Sequence, residues 1–150
     1  MAAQDDAVSR RAEEISREIR DVVLSVDPAG MLALFLYGSA LSRFFRPDSD
    51  LDIAILDDPR HPLSWQDQAR LMDAFERVTG RAVDLRLLRE SSLSHQAHVL
   101  EYGRRIWTGN PGEAERYARE VLEAVDQDRE RSESQWSQTL DRLARTATAH

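Results

Sequence analysis

Gly38-Ser39, followed after ten residues by Asp50-Leu51-Asp52 and later by Asp84, are the residues of this chain whose types and spacing suit chemistry at phosphorus. Asp50 and Asp52 head an apolar run that continues to Leu56 and has the length of a strand. Side chains at i and i+2 of a strand share a face, so the two carboxylates project together while Leu51 and Ile53 point to the opposite, buried side. Carboxylates placed there are costly unless their charge is compensated. Asp84 stands in another strand candidate, Arg81 to Leu88, flanked by Val83 and Leu85. If the two strands are neighbours, three carboxylates converge on one point. Like charges that close do not all stay ionised alone. Divalent cations are the natural compensation. Mg²⁺ takes one or two carboxylates plus substrate phosphates, and two ions bridged by aspartates clamp an in-line displacement at phosphorus. Gly38-Ser39, at a strand end where a helix is expected to start, offers close backbone approach, free N–H groups and a hydroxyl, the makings of a phosphate-binding helix N-terminus. The expected site holds a polyphosphate on Gly38 and Ser39 and two Mg²⁺ ions on Asp50, Asp52 and Asp84.

These residues need a sheet to align them. Residues 7 to 24 carry Val8, Ala12, Ile15, Ile19, Val22 and Val23 at spacings of three and four, an amphipathic helix. Asp27 to Gly30 reads as a turn and Met31 to Tyr37 as a strand. Asp50 to Leu56 is the next strand, and Ser64 to Thr79 a helix with Ser64 and Asp67 as a capping box and Gly80 past its end. Arg81 to Leu88 alternates Val83, Leu85 and Leu87 against Asp84 and Arg86. Ser91 to Tyr102 is helical, Ile106-Trp107 a short final strand, and the chain from Glu113 onward helical again. The order α-β-α-β-α-β-α-α predicts an α/β (α+β) fold, a small mixed sheet flanked by helices, in two parts: residues 1–110 and a helical extension over 111–150. Tyr37, Phe35, Phe44 and Phe45 are expected in the core, and Trp65, Trp107 and Trp136 as packing residues. His95 and His98 are expected to serve packing or surface roles. The stripe Trp136–Leu140–Leu143 suits either intrachain packing or a partner surface.

Composition narrows the function classes. There are no cysteines, which removes disulfides and thiolate metal sites, and a cytoplasmic address is the expectation. All 20 cations are arginine, so no catalytic lysine exists, and no P-loop pattern is present. A net charge of -7 disfavours general nucleic-acid binding, which rests on cationic surface. The longest apolar run is too short to span a bilayer, and no GxGxxG follows a strand.

The pattern Gly38-Ser39-x10-Asp50-x-Asp52 resembles the nucleotidyltransferase superfamily of the polymerase-beta type, and the short chain is similar to its minimal members. The likeness extends through FRPDSDLDIAIL, RAVDLRLL and HVLEYGRRIWTGNP, roughly residues 31 to 110. The resemblance implies the polymerase-beta-type fold and transfer of AMP from ATP to an acceptor hydroxyl, with Asp50 and Asp52 as the metal pair and Asp84 as the third acid. It also implies Gly38 and Ser39 as phosphate elements. Many minimal members are antitoxins paired with a HEPN-type RNase toxin, and some silence it by adenylylating a tyrosine. A partner of that type is therefore expected, with small-molecule transfer, as in aminoglycoside-modifying relatives, or plain occlusion of the toxin as alternatives. One departure stands out: the family's S-x-A-R-G reads Ser39-Ala40-Leu41-Ser42-Arg43 here, so Arg43 is expected to supply the nucleotide-binding cation one position late.

Overall fold

In the computed structural model, which describes residues 2–26 and 29–148, four strands form one sheet in the order β3-β2-β1-β4. The elements run α1 (Ala2–Val26), β1 (Met31–Tyr37), β2 (Leu51–Asp57), α2 (Trp65–Thr79), β3 (Val83–Leu87), α3 (Leu93–Tyr102), β4 (Arg104–Thr108) and α4 (Pro111–Thr148). β1 is antiparallel to β2 and β4, while β2 and β3 are parallel. The mixed α+β sheet expected from the sequence is what forms. Asp27 and Pro28 of the expected turn lie outside the described residues.

β1 reads as an unbroken apolar run because both its faces are covered, and all seven of its residues are buried. Leu34 and Leu36 join Leu51, Ile53 and Ile55 on the face packed by Ile15, Ile19 and Val23 of α1 and Leu71 and Phe75 of α2. Ala33, Phe35 and Tyr37 join Ala54 and Leu56 on the other face, under Ala97 and Val99 of α3 and Ala114, Tyr117 and Val121 of α4. A register shift between Met31 and Ala33 lets Leu32 and Ala33 both serve this second face.

Local signals set the helix ends. The Ser64 hydroxyl accepts from the Asp67 N–H at 3.1 Å, and Gly80 closes α2 in the left-handed conformation at φ 67°. Ser92 caps α3 in the same way, accepting from His95 N–H at 3.2 Å. Other expectations are corrected. The helix expected to begin at Ser39 is a four-residue 3-10 turn, Gly38–Leu41, because Ser42 closes it: the Ser42 N–H and hydroxyl both donate to the Ser39 carbonyl. Phe44, Trp65 and Trp136 are not packing residues; they stand 70%, 79% and 63% exposed. α4 continues as one helix beyond Val125, and there Trp136, Leu140 and Leu143 all face solvent. No described helix is long and apolar enough to cross a membrane.

Candidate active site

Three strands bring three polar side chains abreast. Tyr37 pairs with Asp52 across β1 and β2, and Asp52 pairs with Asp84 across β2 and β3. Residues opposite one another in a sheet share a face, so Tyr37, Asp52 and Asp84 form a row at one end of the α3 side of the sheet. Asp50 lies just before β2, exposed, on the same side by alternation. The strand adjacency that convergence of the aspartates requires is present.

Gly38 sets the other wall. It follows the strand with φ +76°, and a Cβ built on it would lie 2.2 Å from Asp52 Oδ2. Only glycine tolerates both that backbone and that approach. The chain thus turns directly over the Asp52 carboxylate, with Ser39 next in line.

Burial and like charge dominate the electrostatics of this row. Burial pushes the Asp52 carboxyl above the usual carboxylate range, reinforced by Asp84 and Asp50 and partly offset by Arg86 and His95. Burial also raises the Tyr37 phenol, with Asp52 adding to the effect. No donor among the described residues hydrogen-bonds the Asp52 carboxylate. Asp84 is occupied instead: Arg86 Nη2 donates to its Oδ2 at 3.1 Å, in an exposed ion pair. Among the described residues, no three acids or histidines gather closely enough to cage a metal ion.

Two cavities flank the row. One, of about 410 Å³, is lined by Gly38, Ser39, Ser42 and Tyr37 from the sheet side and His98 and Tyr102 from α3. The other, of about 590 Å³, lies beyond β3 and is bordered by Arg86, Glu90, Ser91, Ser92 and His95. His95 separates them, its ring edge-on to Tyr37 at 5.3 Å between centroids. A smaller cavity, of about 290 Å³, sits near Asp58 and Tyr117. Asp57, next to it in sequence, is roughly 16 Å from Asp52 at the rise of a strand. Arg60 and Arg116 there are already paired with Asp58 and Glu113.

Arg43 does not reach either cavity. It is exposed, and its guanidinium stacks on the Phe44 ring at 5.0 Å. The cations that hold the loop come from elsewhere. Arg11 of α1 donates to the Ser42 carbonyl at 2.7 Å, and Arg81 donates to the carbonyls of Arg46 and Pro47. Both guanidiniums stack on Phe45, at 4.5 and 4.3 Å from its ring. Their sequence signals are slight: Arg11 borders the apolar stripe of α1, three residues after Val8, and Arg81 opens RAVDLRLL just before β3. Phe45→Ala is expected to cost about 3 kcal/mol, a fall in Tm of roughly 6–12 °C for a chain this size, readable by thermal denaturation. Phe45→Leu should lose less than half of that.

Solved structures share this fold. A toxin–antitoxin assembly crystallised with AMP-PNP aligns at 21% identity over 75% of this chain and 87% of its own, with a TM-score of 0.62. The MntA–HepT toxin–antitoxin aligns at 21% identity over 79% and 87%, with a TM-score of 0.53. A tri-AMPylated HEPN toxin from Shewanella oneidensis in complex with an MNT antitoxin gives 21%, 80% and 87%, and 0.53. No curated protein matches the sequence. The profile of the family described as "Polymerase beta, Nucleotidyltransferase" matches residues 24–111, more than half of the chain and the whole of the sheet that aligns Gly38, Asp52 and Asp84, and the chain belongs to that family.

Proposed function

We propose that this chain is a Mg²⁺-dependent nucleotidyltransferase that moves AMP from ATP to a hydroxyl of a partner protein, and that it acts as the antitoxin of a HEPN-type RNase toxin. The observation that carries the reading is Gly38 pressed over Asp52 with Asp84 in register beside it. The donor set fits Mg²⁺, since the hard oxygens of the Asp52 carboxylate, which no donor among the described residues hydrogen-bonds, face a cradle that any Cβ would fill. The described residues offer no closed cage, so substrate phosphates would have to complete the coordination. Asp50, Asp52 and Asp84 would hold the ions, which when bound neutralise phosphate charge and polarise the α-phosphoryl group.

The chain's own residues do the rest. Backbone N–H groups of the Gly38–Leu41 turn and the Ser39 hydroxyl hold the triphosphate; the turn is too short for a helix dipole to contribute much. The acceptor oxygen attacks the α-phosphorus, the bond to the β-phosphate oxygen breaks, and pyrophosphate leaves with the electron pair. Asp84 takes the acceptor proton, for which Arg86 must first release it. Positioning and electrostatics supply most of such catalysis. A protein acceptor is supported by Trp136, Leu140 and Leu143, an exposed stripe on α4 that a protein surface suits. The relatives whose names record an AMP-PNP complex and a tri-AMPylated HEPN toxin support the same direction.

Incubation with ATP, Mg²⁺ and a HEPN-type RNase as the candidate partner, followed by intact mass, tests the reading. The expected result is AMP increments on the partner that disappear in Asp50→Asn/Asp52→Asn. A second reading, silencing by occlusion alone, is favoured by Arg43 turned onto Phe44 and by Arg86 on Asp84. A tight complex with no mass change would establish it and remove the catalytic one.

A further inference from the structure

The triphosphate elements and the acids leave one part of the cleft without a task. Its far wall is α3, where His95, His98 and Tyr102 recur at spacings of three and four and so share one side of the helix. His95 leans on Tyr37 next to the acids. His98 and Tyr102 lie further out and line the 410 Å³ cavity opposite Gly38, Ser39 and Ser42. Their rings are in contact with each other, with centroids 5.2 Å apart and planes at 42°. Tyr102 is 69% exposed although it is a large aromatic, and it belongs to neither core cluster. It packs nothing that folding requires.

Resting on the nucleotidyltransferase reading, we infer that His98 and Tyr102 are the platform on which the nucleobase of the bound triphosphate stacks. The volume falls within the range of small-ligand sites. The cavity's two walls differ in kind: a glycine-serine turn with free backbone donors suits phosphate oxygens, and a pair of rings suits a flat π-system. The base extends from the phosphates across the cleft onto α3, and the acceptor enters from the cavity bordered by Arg86 and Ser91. Stacking is tolerant of base identity, because every base has a π-face. The platform therefore contributes affinity for nucleotides as a class.

The test compares ATP with inorganic tripolyphosphate, both with Mg²⁺, by titration calorimetry on the full chain. Alanine substitution of a stacking aromatic costs enough to expect ATP binding about 10- to 100-fold weaker in His98→Ala/Tyr102→Ala. Tripolyphosphate affinity should stay within twofold of the parent protein, and Tyr102→Phe should retain ATP affinity. Equal ATP affinity in the double variant and the parent overturns the platform while leaving the nucleotidyltransferase reading intact. If the parent protein binds tripolyphosphate but gains nothing from the nucleoside, the platform is likewise overturned. If it binds neither probe, the parent reading falls and takes the platform with it.

Discussion

Gly38→Ala is expected to slow nucleotidyl transfer on the order of 100-fold while leaving the chain folded. Two costs fall at this position and they read out differently. A Cβ in the left-handed region costs about 1–2 kcal/mol, or a fall in Tm of roughly 2–8 °C. The second cost is local: the new methyl meets Asp52 Oδ2 at 2.2 Å, Cγ at 3.2 Å and Cβ at 3.4 Å. The carboxylate can swing away, so little further stability is lost. It must move by about 1 Å, however, and a displacement of that size in a reacting group costs on the order of 100-fold in rate. Gly80→Ala is the control. Its φ of +67° imposes a similar backbone cost, but nothing lies within 4 Å of the added Cβ. Its Tm should fall by a comparable amount with transfer unchanged. Thermal denaturation and partner adenylylation, measured on both variants, separate the effects. Transfer within a few-fold of normal in Gly38→Ala would show that Asp52 does not work where this geometry puts it.

What the sequence could disclose about this site was whatever depends on alternation and local capping. Asp52 and Asp84 were readable because an acid inside a run such as LDIAIL breaks an otherwise apolar pattern, and period 2 tells which face it takes. Ser64 and Gly80 announced the ends of α2 by the same local logic. Pairing across strands was left open by these patterns: the row Tyr37–Asp52–Asp84 depends on an antiparallel register between β1 and β2 and a parallel one between β2 and β3, which no neighbouring residue encodes. Phe44 and Phe45 show the limit most clearly. Adjacent and identical, they were expected to share the core, yet only Phe45 is buried there, with Arg11 and Arg81 against its ring, while Phe44 is exposed and carries only Arg43. What distinguishes them is a pair of arginines at sequence separations of 34 and 36, and hydrophobicity alone has no access to that. The helix expected at Ser39 failed for a nearer reason. Ser42 donates both its N–H and its hydroxyl back to the Ser39 carbonyl and ends the turn there, the competition with helix propagation for which serine is suited.

Asp52→Asn is expected to inactivate the protein and, at neutral pH, to stabilise it. The folded state raises the Asp52 carboxyl above its ordinary value through burial first and the charges of Asp84 and Asp50 second, against the weaker opposing pull of Arg86 and His95. An acid whose folded value lies above its unfolded one binds its proton more tightly in the folded state. Between the two values the unfolded chain carries fewer protons, so stability falls as pH rises through that window. Above it the full cost of an ionised, half-buried carboxylate is present. Asparagine keeps the shape and removes the charge. The difference in Tm between Asp52→Asn and the parent protein should therefore be small near pH 4 and should grow in favour of the variant as pH approaches 7. Mg²⁺ with ATP should reverse the order, because a cation bound only by the folded parent adds stability by mass action. Transfer to the partner should fall about 100- to 1,000-fold, as expected when a stabiliser of transition-state charge is lost. A variant less stable than the parent by the same margin at pH 4 and pH 7 would instead mark Asp52 as a residue the fold needs. Stabilisation without metal and inactivation with it together identify a carboxylate kept at the expense of the fold, for the cation it holds.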